Sequence, residues 1–361
     1  MGDLVFVGVV LTRFLIPLGI TRYPLPAIVA SLVVDAADQT VFAAFDVEPD
    51  NYQSYDKALD IYYLTIAYVS TIRNWPSGIA FRVAQFLWYY RLVGVVAFEL
   101  SGARALLLIF PNTFEYFFIA YEIVRLSWNP RRLGRDAVLA LAGSIWLFIK
   151  LPQEWWIHIA KLDVTEFVAD NDWVWPALGV VALVAAIGAR RLMPRMPAAE
   201  WGPTSDVDAH ETTVIAVAAD RPVGARALLD HPLLEKTILM GFVCTIFVQL
   251  FPSNDTRLVG IVAGVGAIVV LNSLVGSRLA ARGRSWAITG VSFVGTGVVN
   301  LIALLLIQVM PGGRDPGGFG GLLTFFLLAL LTLIGTLYDR HRRQRIDSYE
   351  PVRSAQISTG L

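Results

Sequence analysis

Apolar stretches of membrane-spanning length recur along almost the whole of this chain, and that repetition limits what it can fold into more than any other feature. The hydrocarbon core of a bilayer takes about 20 apolar residues per helix. Runs of that kind fall near residues 4–20, 25–45, 56–72, 79–100, 104–126, 136–157, 173–190, 234–252, 258–276, 285–310 and 320–338. They are far too long for barrel strands, and in lipid only helices or closed barrels satisfy their own backbone polar groups. The expectation is an all-α polytopic transmembrane bundle of about 11 spans. Composition agrees: of 361 residues 56% are hydrophobic and only 16% charged, unlike a soluble domain. The formal net charge is zero, which gives no electrostatic support to a nucleic-acid partner and leaves membrane lipid as the expected surrounding.

One long polar stretch interrupts the pattern. Between Arg190 and Lys236 come Pro194, Pro197, Pro203 and Pro222 among mixed charges. The expected organisation is an N-terminal module of about seven spans over 1–191, a linker over 192–235, a C-terminal module of about four spans over 236–340 and a tail over 341–361. Arginine clusters at Arg125 to Arg135, at Arg190 to Arg195, at Arg278 to Arg284 and at Arg340 to Arg345 mark the cytoplasmic side under the positive-inside rule. This predicts a cytoplasmic C-terminus and, counting back, an external N-terminus. The first apolar run has no basic leader or small-residue cleavage site, so it reads as a retained span. A single cysteine, Cys244, inside an apolar run excludes an internal disulfide and a Cys-rich metal site. These features fit a bacterial plasma membrane.

Within this apolar background four aspartates stand out. Span two reads PLPAIVASLVVDAADQTVF and span three opens YDKALDIYYL. Asp35 and Asp38 are three apart and Asp56 and Asp60 four apart, so each pair shares one helix face. Carboxylates converging from the adjoining ends of two consecutive helices either repel strongly or share a divalent cation such as Mg²⁺. Such a cation can hold a diphosphate and stabilise charge on its leaving group. The plainer reading is a solvated helix boundary, since Asp46, Glu48, Asp50 and Asn51 follow. Against it, Asp35 lies well inside an apolar run, where a carboxylate costs about 2.5–3.5 kcal/mol on insertion scales.

The spacing of these acids resembles that of the CDP-alcohol phosphotransferases, whose pattern is D-x2-D-G-x2-A-R-x8-G-x3-D-x3-D. All four aspartates fall in register, and LTRFLIPL (Leu11 to Leu18) looks like the first-span segment of that family. The resemblance covers about the first 75 residues. It implies Mg²⁺ or Mn²⁺ held by Asp35, Asp38 and Asp56, with Asp60 as the catalytic base that deprotonates an incoming alcohol. It further implies transfer of a substituted phosphate from a CDP-linked or lipid-linked donor, with release of CMP. The chain departs from the pattern at Gln39 and Tyr52, where the family has glycines, and at Phe42 and Ala43, where it has Ala-Arg. The family's site faces the cytoplasm, whereas the arginine count places the loop after span two outside.

Other acids and bases lie within apolar runs. Glu115 and Glu122 are seven apart on one helix face, Glu99 closes span four, and Lys150, Glu154 and His158 recur every four residues around Pro152. These read either as structural ion pairs, with Arg82 or Arg91 as partners and Lys150 pairing with Glu154 on one turn, or as a proton or cation path. Trp155, Trp156, Trp173 and Trp175 read as an interfacial aromatic belt. The four histidines are scattered, and P-loop, dinucleotide and G-x-S-x-G motifs are lacking. Three functional classes therefore stand open: a metal-dependent phosphotransferase-like enzyme, a transporter or channel, and a non-catalytic membrane scaffold.

The arginine clusters generate the first prediction. Single cysteines placed in the 192–235 linker or after Tyr338, in a Cys244→Ser background, are expected to stay unlabelled by an impermeant thiol reagent in intact cells and to react once the cells are opened. Labelling of either segment from outside would invert the topology.

Overall fold

The computed structural model describes residues 2–45, 47, 52–75, 77–130, 133–160, 170–192, 198–199, 205–207, 231–248, 290–291, 293–300 and 326–342. Among them the regular structure is helical throughout, with no strand. The helices are α1 (Gly2–Leu15), α2 (Pro24–Ala44), α3 (Tyr52–Asn74), α4 (Gly78–Ser101), α5 (Ala105–Ile109), α6 (Thr113–Arg125), α7 (Arg135–Ser144), α8 (Leu151–Trp155), α9 (Val174–Leu192) and α10 (His231–Val248). Residues 293–300 and 326–342 are helical as well.

Five stretches are long and apolar enough to cross a membrane: Leu4–Thr21, Pro24–Ala44, Gly78–Ser101, Ala105–Arg125 and Arg135–Trp155. They coincide with five of the spans expected from sequence. The expected spans at 258–276 and most of 285–310 lie outside the described residues, as do most of the 192–235 linker and the tail beyond 342. The chain forms two compact units, one of residues 1–81 with 206–361, the other of residues 82–205.

In the first unit α3 is the innermost helix. Leu59, Tyr62, Ile66, Val69 and Ile72 are all buried, as are Thr65, Ser70 and Thr71. A helix buried all round must satisfy its own polar groups. Thr65 donates to the carbonyl of Ile61 at 2.6 Å, Ser70 to that of Ala67 at 2.7 Å and Thr71 to that of Tyr68 at 2.7 Å. This explains why α3 is polar enough to fall outside the five apolar stretches and is nevertheless deeply enclosed. Glu235 of α10 accepts from the hydroxyl of Tyr68 and from that of Tyr338 at 2.9 Å. One carboxylate thus ties α3, α10 and the 326–342 helix together. Beside it Lys236 pairs with Asp339 at 2.7 Å. His341 is buried with Nδ1 3.0 Å from the carbonyl oxygen of Val69. Burial, with Arg73 and Arg340 adding to it, pushes its pKa down to about 3, so the ring is neutral at physiological pH. Cys244 is buried, in keeping with a packing role.

In the second unit α4 ends on Gly102, whose φ of +69° is the left-handed conformation that closes a helix. The next expected span is discontinuous. α5 stops at Ile109 and α6 begins at Thr113, with Phe110, Pro111 and Asn112 between them. Pro111 lacks an N–H and drives the preceding residue out of the helical region, and Phe110 accordingly adopts φ −111°, ψ 64°. The span after that winds as a π-helix over Ile145–Lys150 and again over Trp156–Ala160, on either side of Pro152. Trp155, Trp173 and Trp175 are exposed and Trp156 is half-buried.

Gly94 is the point of closest approach between α4 and the α5–α6 break. A Cβ there would meet the Phe110 side chain, lying 2.6 Å from its Cγ. Gly94→Ala is expected to destabilise the purified protein by about 1–3 kcal/mol through overpacking. The companion change Phe110→Ala should recover part of that loss in a thermal unfolding series, because it removes the atoms the new methyl meets.

Candidate functional site

The four aspartates of α2 and α3 do converge, and all of them converge on Arg13. Asp35 and Asp38 project from successive turns of α2, Asp56 and Asp60 from the first turns of α3. Arg13 projects from the last turn of α1. Its Nη1 bonds Asp38 and lies 3.0 Å from Asp56, while its Nη2 bonds Asp35 and lies 3.3 Å from Asp60. A planar guanidinium with five donors in a fixed fork can serve several carboxylates at once, which an ammonium cannot do as well.

The local fold explains this placement. Pro17 closes α1 into the 3₁₀ turn Ile16–Thr21, and Pro24 opens α2 at its first turn. α1 and α2 therefore lie as close neighbours. The hydroxyl of Tyr62 donates to the carbonyl of Phe14 at 2.9 Å, and the two rings stand 4.7 Å apart. These contacts fix the end of α1 against α3 directly beside Arg13.

The cluster is graded in depth. The Asp38 side chain is 0% exposed and that of Arg13 3%, whereas Asp35, Asp56 and Asp60 retain 25%, 35% and 29%. Three carboxylates thus offer oxygen to the surroundings and the fourth does not. One oxygen from each of Asp35, Asp38 and Asp56 lies within 4.8 Å of the others. Two ligands facing each other across Mg²⁺ stand about 4.2 Å apart, and across Ca²⁺ about 4.8 Å. The donor set is carboxylate oxygen only, which suits a hard divalent cation and not a soft metal. The donor chemistry therefore suits such an ion, which would take the place that the Arg13 guanidinium fills among these oxygens.

Gln39 and Ala43 are exposed on α2, and Phe42 is buried with its ring 5.9 Å from that of Phe6. The positive charge that the family pattern carries at position 43 is absent, and the one at the carboxylates comes from α1. The side chain of Tyr52 lies outside the described residues.

The remaining acids expected from sequence gather in the second unit and pair otherwise than by simple spacing. Glu122 pairs with Arg125 one turn on, at 3.3 Å. Lys150 reaches Glu115 of α6 at 3.6 Å, and Glu154 lies 4.0 Å from Arg91 of α4. Lys150 and Glu154, expected to pair on one turn, sit one α-helical turn apart and also reach Glu115 and Arg91 on other helices. Glu99 lies on the last turn of α4, half-buried. The side chain of His158 lies outside the described residues.

Arg13 was the residue of the cluster missed in sequence. It stood inside the quoted segment LTRFLIPL, and the available signal was an arginine ten residues after Asp3 in a run that otherwise lacks charge. Arg13→Ala is expected to lower stability by about 3–5 kcal/mol, the usual effect of stripping a buried charge of its partner. Millimolar Mg²⁺ should recover more of the melting temperature in this variant than it adds to the wild type. Loss of stability without any divalent recovery would mean that the acids cannot hold an ion in place of the guanidinium. In comparisons with known proteins, the chain matches no family model, no curated protein and no solved structure.

Proposed function

We propose that this is a divalent-cation-dependent membrane enzyme of the phosphotransferase kind, acting through the aspartate cluster of α2 and α3 on a CDP-linked or lipid-linked donor. The observation that carries the reading is the mutual approach of Asp35, Asp38 and Asp56 within 4.8 Å. Those are the three residues that the resemblance to CDP-alcohol phosphotransferases names as metal ligands. A bilayer-depth cluster holding four carboxylates against one guanidinium also has the charge to attract a further cation.

In this reading Asp35, Asp38 and Asp56 would hold Mg²⁺ or Mn²⁺, which would supply electrostatic stabilisation of the diphosphate and of the departing CMP. Asp38, the innermost, anchors the set. Arg13 keeps the carboxylates converged in the absence of other charge and would yield its place among Asp35, Asp38 and Asp56 to the ion. Asp60, on the α3 turn after Asp56, accepts the proton of the incoming alcohol. The alcohol oxygen forms a bond to phosphorus, the bond from phosphorus to the CMP oxygen breaks, and CMP leaves with its electron pair. The exposed edge of Asp35, Asp56 and Asp60 is the side from which a polar headgroup can enter.

The roles separate experimentally. Asp38→Asn is expected to abolish stabilisation by Mg²⁺ or Mn²⁺ in thermal unfolding, whereas Asp60→Asn should retain it and lose CMP release from a CDP-linked lipid by a factor of about 10² or more. No divalent effect on the wild type at neutral pH and millimolar metal would remove the support for this function.

A further inference from the structure

The second unit contains a separate polar centre, far in sequence from the aspartates and unused by the proposed chemistry. It forms where the span Ala105–Arg125 is broken. Interrupting a helix at membrane depth leaves backbone groups without their helical partners, and in hydrocarbon each must be satisfied by protein or by a ligand. Side chains do most of this here. The Tyr90 hydroxyl donates to the Ile109 carbonyl at 2.7 Å and Arg91 Nη1 to the Phe110 carbonyl at 3.1 Å. The Asn112 N–H donates to Glu154 Oε1 at 3.2 Å.

The side chains then form a continuous chain of contacts. Asn112 Nδ2 donates to Glu115 Oε2 at 2.6 Å, and Lys150 Nζ lies 3.6 Å from the same oxygen. The Lys150 ammonium also sits 3.9 Å above the ring of Tyr116. Charges of the two signs balance: Arg91 and Lys150 against Glu115 and Glu154. All four are drawn from different turns, brought together by the proline break and by the π-helical windings that flank Pro152. Such windings add a residue to a turn and recur at functional sites.

One oxygen on this chain of contacts lacks a hydrogen-bond partner, Oδ1 of Asn112, and Oε1 of Gln153, which bonds Tyr116 through its side chain, lacks one as well. Asn112 is only 7% exposed. Its Oδ1 belongs to the same planar amide whose nitrogen is bound to Glu115, the carboxylate that Lys150 pairs with. Reversing the amide would set oxygen against carboxylate, so the assignment is the favourable one. Buried amide oxygens beside a carboxylate and a broken helix form a set of hard donors, and a discontinuous span is where membrane proteins place such sites.

We propose that this centre binds a small monovalent cation, of which Na⁺ is the type, through Glu115 and Asn112 Oδ1. The site holds one positive charge at a time, either the Lys150 ammonium or the cation. The neutral balance of the four charged groups imposes that exclusion. A cation entering while Lys150 stays charged in place would leave one unit of positive charge in a desolvated setting.

The test uses the full-length purified protein, unfolded thermally in Na⁺ and in choline at equal ionic strength. Lys150→Met keeps side-chain length and removes the resident charge. It is expected to melt several degrees higher in Na⁺ than in choline, a difference larger than in the wild type. The double variant Lys150→Met with Asn112→Ala should lose that difference, while Lys150→Met with Asp38→Asn should keep it, placing the effect away from the aspartates. Equal melting of Lys150→Met in the two salts overturns the proposal and leaves Lys150 and Glu115 as a structural pair. Should Lys150→Met fail to fold, the wild type decides: stabilisation by Na⁺ over choline that Asn112→Ala weakens supports the site. No sodium effect in the wild type overturns it.

Discussion

A charged side chain carried into lipid cannot rely on water, so it must find its opposite within the protein. That constraint organises both units of this chain. In the first, a guanidinium from α1 meets four carboxylates from α2 and α3. Because each helix contributes charge that the others must neutralise, the three are held at fixed depth relative to one another. Apolar packing alone sets no such depth, since lipid and Leu side chains are nearly equivalent surroundings. The tie of Glu235 to Tyr68 and Tyr338 applies the same rule to α10 and the 326–342 helix.

The second unit solves the problem in another way. Its charged groups do not surround a single ion but alternate along a connected path from Arg91 through Glu154, Asn112 and Glu115 to Lys150. Such a path leaves no large net charge at any point, and it also stabilises the break at Pro111 that would otherwise expose backbone to hydrocarbon. The cost of the irregular backbone and the cost of the buried charges offset one another, since each group supplies what the other lacks.

Much of this was legible in the sequence. The five apolar stretches follow from window length alone, and the convergence of Asp35, Asp38, Asp56 and Asp60 follows from spacing at the facing ends of consecutive helices. What spacing could not show was which cation they meet. Arg13 is separated from Asp60 by 47 positions, and helical periodicity carries no information across such a gap. Lys150 and Glu154 sit one α-helical turn apart, as periodicity puts them, but they also reach Glu115 and Arg91 on other helices, which spacing along one helix cannot show. The break before Asn112, by contrast, was present as Pro111, and treating 104–126 as one span passed over it.

The order of the charged elements along the chain has a consequence for assembly. Arg13 is made and delivered to the membrane before any of the acids it binds, because α1 precedes α2 and α3. Each later helix then arrives to find a complementary charge already embedded: Asp35 and Asp38 meet the arginine first, and Asp56 and Asp60 join a pair already formed. A hairpin of α1 and α2 can thus insert with Arg13 offsetting one of its two carboxylates, and α3, the most polar of the three, meets a guanidinium already in place. The reverse order would require four acids to wait in the bilayer or the translocation channel for the guanidinium they share. Synthesis from the N-terminus therefore acts as a chaperoning sequence for this cluster, written into the positions of its charges.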